Sequence, residues 1–344
     1  MSRFSTSVQS RRTASFLDCI FSPLRWRWSL LLLLLSAEPA LAQCNSRWSI
    51  AFWNVENYFD TRNDSLTNDD AFTPLGDNHW TTKRYNDKRD KIYKVIAAMN
   101  WPDIIGMAEV ENSAVLRDLC HYTPLRKFGY DYIHYDSPDG RGIDCALLFR
   151  TGTFKAFEST PICVSDSQSA FFTRDILMVG GILKDTNGSD TCYIFVNHWP
   201  SKRGGATASK HRLRIAHTLM ALMDSVQRTH CGALVLAMGD FNASPEEEAI
   251  KHGLGFHGAA RNAQGFHNLM YQIPKGEGSY KYHDNWSCID QIIANRKLTV
   301  SIFRQDFLLT DDPKYLGTKP SRTYTGMRYL GGFSDHLPLI ACIP

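Results

Sequence analysis

The chain lacks the short motifs that identify several large enzyme classes. It has no GxSxG nucleophile motif, and none of its cysteines stands in the local context of a catalytic thiol, which excludes the usual serine hydrolases and cysteine proteases. It has no glycine-rich phosphate-binding loop of the kind that kinases and helicases use. No CxxC pair or Cys/His spacing predicts a zinc site. The chemistry must therefore come from other side chains.

A net charge is missing as well, once the N-terminal segment is set aside. Residues 1–42 hold five arginines and two acidic residues, so the 38 basic and 35 acidic side chains of the 344-residue chain fall to 33 of each. A domain that binds duplex nucleic acid tightly usually carries a basic excess. The neutral balance argues against such binding, although it is compatible with a local basic patch.

The N-terminal segment has the pattern of a secretory signal peptide. Two arginines precede the apolar run WSLLLLLLSA, and ALA at residues 40–42 fits a cleavage site. Gln43 is a poor match to the residue that precedes a lipid-modified cysteine, which favours plain export over an anchor at Cys44. We expect a signal peptide at residues 1–42 and a secreted, periplasmic or cell-envelope domain at residues 43–344. Its eight cysteines permit disulfides but fix no pairing.

Short apolar runs and two helical patterns alternate along this domain. Apolar residues recur at helical spacing in RYNDKRDKIYKVIAAM (84–99) and SKHRLRIAHTLMALMDSVQRT (209–229). Strand-like runs lie before, between and after them, with no internal repeat, heptad or long linker. The pattern predicts a single α/β domain in which sheets are sandwiched between helices.

Seven of the apolar runs end in, or contain near their ends, a polar residue that no structural need explains. A single case is most often a cap or turn residue, but seven are hard to explain in that way. The residues are Asn54 with Glu56, Glu109, Asp144, Asn197 with His198, Asp240 with Asn242, Asp290, and Asp335 with His336.

The chemistry of this set suits metal-assisted reaction at a phosphate. Carboxylates such as Glu109 and Asp335, with the amide of Asn54, offer the oxygen ligands that Mg²⁺ and other hard cations prefer. Such an ion polarises a phosphoryl oxygen and stabilises a leaving oxyanion. His198 and His336 are suited to donate hydrogen bonds to a phosphate, and an aspartate behind either ring would orient it.

Seven segments, in this order, resemble the endonuclease/exonuclease/phosphatase superfamily, the fold of deoxyribonuclease I. They are FWNVEN, IGMAEVEN, RGIDCALLF, VNHWPSKRGG, MGDFNASP, WSCIDQII and FSDHLPL, and they run from about residue 48 to the C-terminus. The subgroup resembled is the exported bacterial one. The resemblance implies an α/β fold of four layers, with two packed, mostly antiparallel sheets flanked by helices and the active site at one edge of the sheets.

The resemblance also implies a metal site. Glu109 corresponds to the principal ligand of the ion, with Asn54 beside it. Glu56 stands where relatives often keep an acidic group near the ion, and Asp335 is expected in or just outside the metal shell. The cofactor implied is Mg²⁺, with Mn²⁺ and Ca²⁺ as alternatives.

The remaining residues correspond to those that act on substrate and water. Asp240 would align or deprotonate the attacking water, and Asn242 would hold the phosphate. His336 would bind the scissile phosphate and be oriented by Asp290. His198 would contact the phosphate or protonate the leaving group. Arg203 is a further candidate for binding phosphate, because a guanidinium offers paired donors.

These inferences predict a secreted, divalent-metal-dependent phosphodiesterase that cleaves P–O bonds with an activated water. The first expectation for the substrate is nucleic acid, so that the enzyme is a nuclease. It is expected to act as a monomer without a stable protein partner. Two alternatives stay open: a phospholipid or sphingomyelin phosphodiesterase, which needs an exposed apolar hairpin near the cleft, and a catalytically inactive binding protein on the same fold.

Overall fold

The computed structural model describes residues 47–167 and 171–344, so the predicted signal peptide lies outside the described residues. The α-helices are α1 (Thr82–Ala98), α2 (Ser113–Tyr122) and α3 (Gly205–Thr229). The first nine strands are β1 (Trp48–Tyr58), β2 (Ile104–Val110), β3 (Tyr130–His134), β4 (Asp144–Arg150), β5 (Phe154–Ile162), β6 (Ile176–Asp185), β7 (Gly188–His198), β8 (Leu234–Asp240) and β9 (His267–Asn268). The later strands are β10 (Tyr280–Tyr282), β11 (Asn285–Ser287), β12 (Asp290–Ala294), β13 (Thr299–Ile302), β14 (Leu309–Asp311), β15 (Thr318–Pro320), β16 (Tyr324–Thr325), β17 (Arg328–Tyr329) and β18 (Leu339–Ile343). Single turns of 3-10 helix cover Asp70–Phe72, Pro124–Phe128, Lys202–Gly204, Leu269–Gln272 and Asp306–Leu308, and Ala249–Gly253 forms a π-turn.

Twelve of these strands form two six-stranded sheets. Sheet A has the order β13-β18-β1-β2-β4-β3, and sheet B has the order β5-β6-β7-β8-β12-β9. Each sheet has one parallel pair, β1 with β2 in sheet A and β7 with β8 in sheet B, and its other neighbours are antiparallel. The prediction of two mostly antiparallel sheets is confirmed.

The alternation of side chains along the strands produces three apolar layers. In β1, Ile50 and Phe52 face the core between the two sheets, whereas Ala51 and Trp53 belong to the layer that α1 and α2 cover. The outer face of sheet B packs against α3 through residues such as Leu219. The order helix, sheet, sheet, helix is the four-layer α/β sandwich that the sequence predicts.

Helix α1 begins and ends where its sequence provides the usual signals. Its N-cap Thr81 accepts a hydrogen bond from the backbone N–H of Arg84 at 3.4 Å. Asn100, just past the helix, has a φ of 62°, a conformation that ends helices and that asparagine adopts more readily than most residues. On the buried face, Tyr85 and Ile92 are apolar but Lys88 between them is not.

The two parallel pairs bring their carboxyl ends to the same edge of the sandwich. In sheet B, β7 and β8 approach closely at Gly239, where a Cβ atom would lie 2.3 Å from the carbonyl oxygen of Asn197. This close pairing places His198 directly opposite Asp240. No helix among the described residues is long and apolar enough to cross a membrane.

Candidate active site

Three predicted site residues form a row across the edge of sheet B. His198 ends β7, Asp240 ends β8 and Asp290 begins β12, and the strand register pairs Asp240 with each of the other two. All three side chains are buried. Burial and the charge of Asp290 raise the pKa of Asp240 to about 7, although the charge of His336 opposes both. Asp240 and Asp290 therefore lie side by side as two buried carboxylates whose negative charge the surroundings solvate poorly.

Asn54 of β1 joins this row to sheet A. Its side-chain Nδ2 donates to Glu109 Oε1 at 3.3 Å and to Asp240 Oδ2 at 3.1 Å. The backbone N–H of Glu56 donates to Asn54 Oδ1 at 3.0 Å, which fixes the orientation of the amide. The amide thus holds one carboxylate of each sheet at a fixed separation.

Glu109 and its neighbours adopt backbone conformations that ordinary strands avoid. Glu56, Asn57, Glu109 and Asn242 all have a positive φ, between 47° and 64°. The β1–β2 register shifts between Asn54 and Tyr58, and the β2–β4 register shifts on either side of Glu109. Such bulges re-aim side chains, and each strained residue costs about 1–3 kcal/mol. The strain turns the Glu109 carboxylate toward Asn54 and toward the N–H of Asn57, which donates to Glu109 Oε2 at 2.9 Å.

His336 is held as a protonated ring. Its Nδ1 donates to Asp290 Oδ2 at 2.8 Å, and the Ser279 hydroxyl donates to the same oxygen. Burial alone would lower the pKa of His336, but the charges of Asp290 and Asp240 outweigh it and raise that pKa well above its usual value. Its Nε2 lies 3.7 Å from Asp240 Oδ2, beyond hydrogen-bond distance, so the N–H is available to a phosphate oxygen.

His198 lies on the other side of Asp240 and is neutral. Burial lowers its pKa well below the usual value, and the charges of Arg174 and Arg141 lower it further. Its Nε2 is 3.7 Å from Asp240 Oδ2 and 3.9 Å from Glu109 Oε1. Two histidines in opposite protonation states therefore flank one aspartate, a division of roles common in acid–base sites.

A buried arginine fixes the backbone at His198. The guanidinium of Arg174 donates from Nε to His198 O at 3.1 Å and from a terminal nitrogen to Trp199 O at 2.7 Å. Its other terminal nitrogen donates to Asp139 Oδ2 at 2.7 Å. The second oxygen of Asp139 accepts from the backbone N–H and Nε of Arg141, at 3.0 and 3.4 Å. Among the described residues, the two terminal nitrogens of Arg141 have no hydrogen-bond partner, so they are free to bind an anion.

Glu56 makes its contacts on the other flank of the site. Its two oxygens accept from the backbone N–H of Thr323 at 2.6 Å and of Tyr324 at 3.3 Å. Burial and the charge of Asp335 raise its pKa to about 7, and Lys88 opposes both. Arg322 lies 3.6 Å from Glu56 Oε1 and donates to Asp335 Oδ2 at 2.7 Å. The carboxylate of Glu56 is therefore engaged by backbone donors and by Arg322.

The charges and the unpaired atoms of this site fit a divalent cation. Five carboxylates face three cations, so two negative charges remain when all are ionised; the acids are Glu56, Glu109, Asp240, Asp290 and Asp335, and the cations are Lys88, Arg322 and protonated His336. Asp290 Oδ1 is buried without a hydrogen-bond partner among the described residues. Carboxylate oxygens of Asp240 and Asp290 lie within 4.8 Å of each other and of His336, whose protonated ring offers no lone pair to an ion. Carboxylate oxygens around two uncompensated charges are the donor set that Mg²⁺ prefers.

The other predicted residues divide between the site and its surroundings. Asn242 donates from Nδ2 to Trp199 O at 3.0 Å and from its backbone to Asp240 Oδ1 at 2.9 Å. Arg203 is exposed in the turn before α3, and its charge acts on the nearby Tyr280 hydroxyl. Asp144 contacts His134 at 3.2 Å and belongs to a separate cluster.

Several site residues were not identified from the sequence. They are Lys88, Asp139, Arg141, Arg174, Tyr280 and Arg322. Lys88 was detectable in the sequence, because it lies at helical spacing among the apolar residues of α1. Arg174 also stands directly before an apolar run, but nothing local shows that it reaches the carbonyl groups at the end of β7.

Comparisons with known proteins identify the family and the fold. The sequence profile of the Endonuclease/Exonuclease/phosphatase family matches residues 49–343. Nocturnin of Mus musculus is 28% identical over 218 residues, which cover 61% of this chain and 45% of Nocturnin, so the chain matches less than half of that relative. A mannosyl-6-phosphatase of Bacteroides thetaiotaomicron superposes with a TM-score of 0.53 at 17% identity, covering 86% of this chain and 98% of the phosphatase. TDP2 of D. rerio, complexed with a single-stranded DNA product, gives a TM-score of 0.52 at 16% identity, with 86% and 97% covered. At these identities the two structural matches establish the fold.

Proposed function

The chain belongs to the endonuclease/exonuclease/phosphatase family, whose members hydrolyse phosphoesters, and from this membership we propose that it is an exported, divalent-metal-dependent phosphodiesterase that cleaves nucleic acid. The observation that carries the proposal is the position of Asp240 between a neutral and a protonated histidine, 3.7 Å from each. Export is supported by the N-terminal signal pattern.

In this proposal the protein's own groups divide the reaction between them. Asp240 orients the attacking water and accepts its proton, a role that suits a carboxylate whose pKa is raised to about 7. Protonated His336, supported by Asp290, donates to a non-bridging phosphate oxygen. Glu109 and Asp335 are the carboxylates that would hold Mg²⁺. The bound ion would supply Lewis-acid stabilisation of the charge that develops on the phosphate oxygens.

A lipid phosphodiesterase is the second candidate, and one observation favours it. The β16–β17 hairpin follows Thr323, which contacts Glu56, and it exposes Met327 at its tip to 67%. Leu330, just after the hairpin, is 47% exposed. An apolar tip beside the site is the feature that a membrane-bound substrate requires.

The two candidates are separated by a substrate panel. Protein lacking residues 1–42 is incubated with supercoiled plasmid, single-stranded oligonucleotide and sphingomyelin or phospholipid vesicles, with Mg²⁺ or with EDTA. We expect nicking of the plasmid or shortening of the oligonucleotide with Mg²⁺ and none with EDTA. Release of phosphorylated headgroups without any nucleic-acid cleavage would contradict the nuclease proposal in favour of the lipid candidate.

Arg141 provides a test of how the substrate phosphate is bound. Because Asp139 holds its Nε and leaves the terminal nitrogens free, we expect Arg141 to bind a phosphate oxygen beside His198. Arg141→Ala should raise KM about tenfold or more, since a hydrogen bond to a charged group contributes ~1.5–3 kcal/mol. Arg141→Lys should restore only part of the loss. The control is Arg126→Ala, at an exposed residue of a distant turn; unchanged steady-state kinetics in Arg141→Ala would remove Arg141 from the site.

A further inference from the structure

A short hairpin extends outward from the catalytic histidine and carries exposed aromatic rings. Strands β10 and β11 form this hairpin, and the backbone of Tyr280 forms a bridge with His336. The ring of Tyr280 lies 4.8 Å from the ring of His336, centroid to centroid. The hairpin is therefore fixed directly to the residue that contacts the scissile phosphate in the proposed function.

The rings continue along one face of the hairpin. Tyr280 and Tyr282 are two residues apart on one strand, so their side chains share a face and stand about 7 Å apart. Tyr282 is 62% exposed, and its ring stacks on His283 at 4.1 Å. His283 in turn stacks on Tyr315 at 4.7 Å. We call these four residues, Tyr280, Tyr282, His283 and Tyr315, the aromatic surface.

The opposite face of the hairpin holds this surface in position. Lys281 points away from the tyrosines and lies 3.2 Å from Asp312, with its side chain buried. Its Nζ also donates to the carbonyl oxygen of Leu316, next to Tyr315, at 2.9 Å. The aromatic surface is thus fixed to the β14–β15 loop and does not need to be ordered when a ligand binds.

The chemistry of the aromatic surface points to one class of ligand. Side chains that leave one strand about 7 Å apart on the same face have room for one planar ring between them. Phenol and imidazole rings with polar edges suit nucleobases better than they suit acyl chains, and bases stack on aromatic side chains in a sequence-tolerant way. Only unpaired bases can stack on these side chains. A domain without a basic excess also has to obtain its affinity for nucleic acid from stacking more than from charge.

We propose that the aromatic surface binds unpaired bases next to the scissile phosphate, so that the enzyme prefers single-stranded nucleic acid. This inference rests on the proposed nuclease function and names its substrate class. A base stacks between the rings of Tyr280 and Tyr282. The exposed Tyr282 provides most of the preference for strands that carry bases.

The test compares two single strands that differ only in their bases. One is a twelve-nucleotide oligonucleotide, and the other has the same backbone with stable tetrahydrofuran spacers at all positions around the cleavage site. The kcat/KM of each is measured with Mg²⁺ for the wild type, Tyr282→Ala, Tyr282→Phe and Tyr122→Ala. Tyr122, at the end of α2, is equally exposed but distant in the fold and serves as the matched control.

We expect the wild type to prefer the base-bearing strand about tenfold or more, in line with the affinity that one stacked base provides. Tyr282→Ala should lose most of this preference, whereas Tyr282→Phe and Tyr122→Ala should keep it. Cleavage with the same preference in Tyr282→Ala as in the wild type would overturn the inference alone. Absence of Mg²⁺-dependent cleavage of both strands, with supercoiled plasmid still nicked, would also overturn the inference alone, whereas absence of cleavage of the strands and the plasmid alike would overturn the proposed function and the inference together.

Discussion

Asp240→Asn is expected to lower kcat for any phosphodiester substrate about a thousandfold, because it removes the carboxylate placed to orient and deprotonate water. General base catalysis contributes ~10²–10⁴-fold in enzymes, and an amide cannot accept the proton. The measurement is steady-state cleavage of an oligonucleotide with Mg²⁺, over at least four orders of magnitude in enzyme concentration.

The same substitution must be shown to leave the fold intact. Asp240 accepts hydrogen bonds from Asn242 N and from Asn54 Nδ2, and the amide of an asparagine can accept only one of them. We therefore expect a loss of ~1–3 kcal/mol in stability from the unpaired donor, visible as a lower Tm but not as unfolding at 25 °C. A folded Asp240→Asn variant that retains more than a tenth of wild-type kcat would show that another group activates the water.

The polar residues at the ends of the strands could be predicted because each of them lies at or near the end of an apolar run. An apolar run that stops at a carboxylate is visible in a single sequence, as MGDFN at Asp240 and IGMAEVEN at Glu109 show. The observed register of the parallel pair β7–β8 then places His198 beside Asp240. The four-layer fold follows from the same strands together with the helices α1 and α3.

What the sequence did not reveal depends on contacts between distant residues. Glu109 has a positive φ at the point where the pairing of β2 with its neighbours β1 and β4 shifts register. No local sequence pattern indicates these shifts. Helix α2 and strand β5 were likewise not identified, because α2 is a short helix and β5 leaves most of its side chains outside the core. Arg174 acts on the backbone of a strand that lies 24 residues further along the chain.

Lys88→Met is expected to destabilise the protein by about 3 kcal/mol or more, because it removes a buried cation that is hydrogen-bonded to Thr323 and Phe333 and whose charge opposes that of Glu56. Lys88 is 1% exposed, and its Nζ donates to Thr323 Oγ1 at 2.7 Å and to Phe333 O at 2.6 Å. Burial lowers its pKa to about 8, while the charge of Glu56 opposes that shift. Removing a buried charge that compensates nearby charges of opposite sign typically costs ~3–5 kcal/mol, and here the carbonyl oxygen of Phe333 also loses its donor.

A double-mutant cycle, measured by urea unfolding at pH 7, separates the contribution of the Lys88–Glu56 interaction from that of the hydrogen bonds of Lys88. Lys88→Met combined with Glu56→Gln should be more stable than the sum of the two single changes predicts, because no lone charge is left behind. Lys83→Met, on the exposed side of the same helix, is the matched control and should change stability by less than about 0.5 kcal/mol. If the two single effects simply add, Lys88 and Glu56 do not interact, and Lys88 stabilises the segment from Thr323 to Phe333 through its hydrogen bonds alone. A coupling of 1 kcal/mol or more would instead show that the buried lysine on α1 and the carboxylate of Glu56 interact and stabilise the fold together.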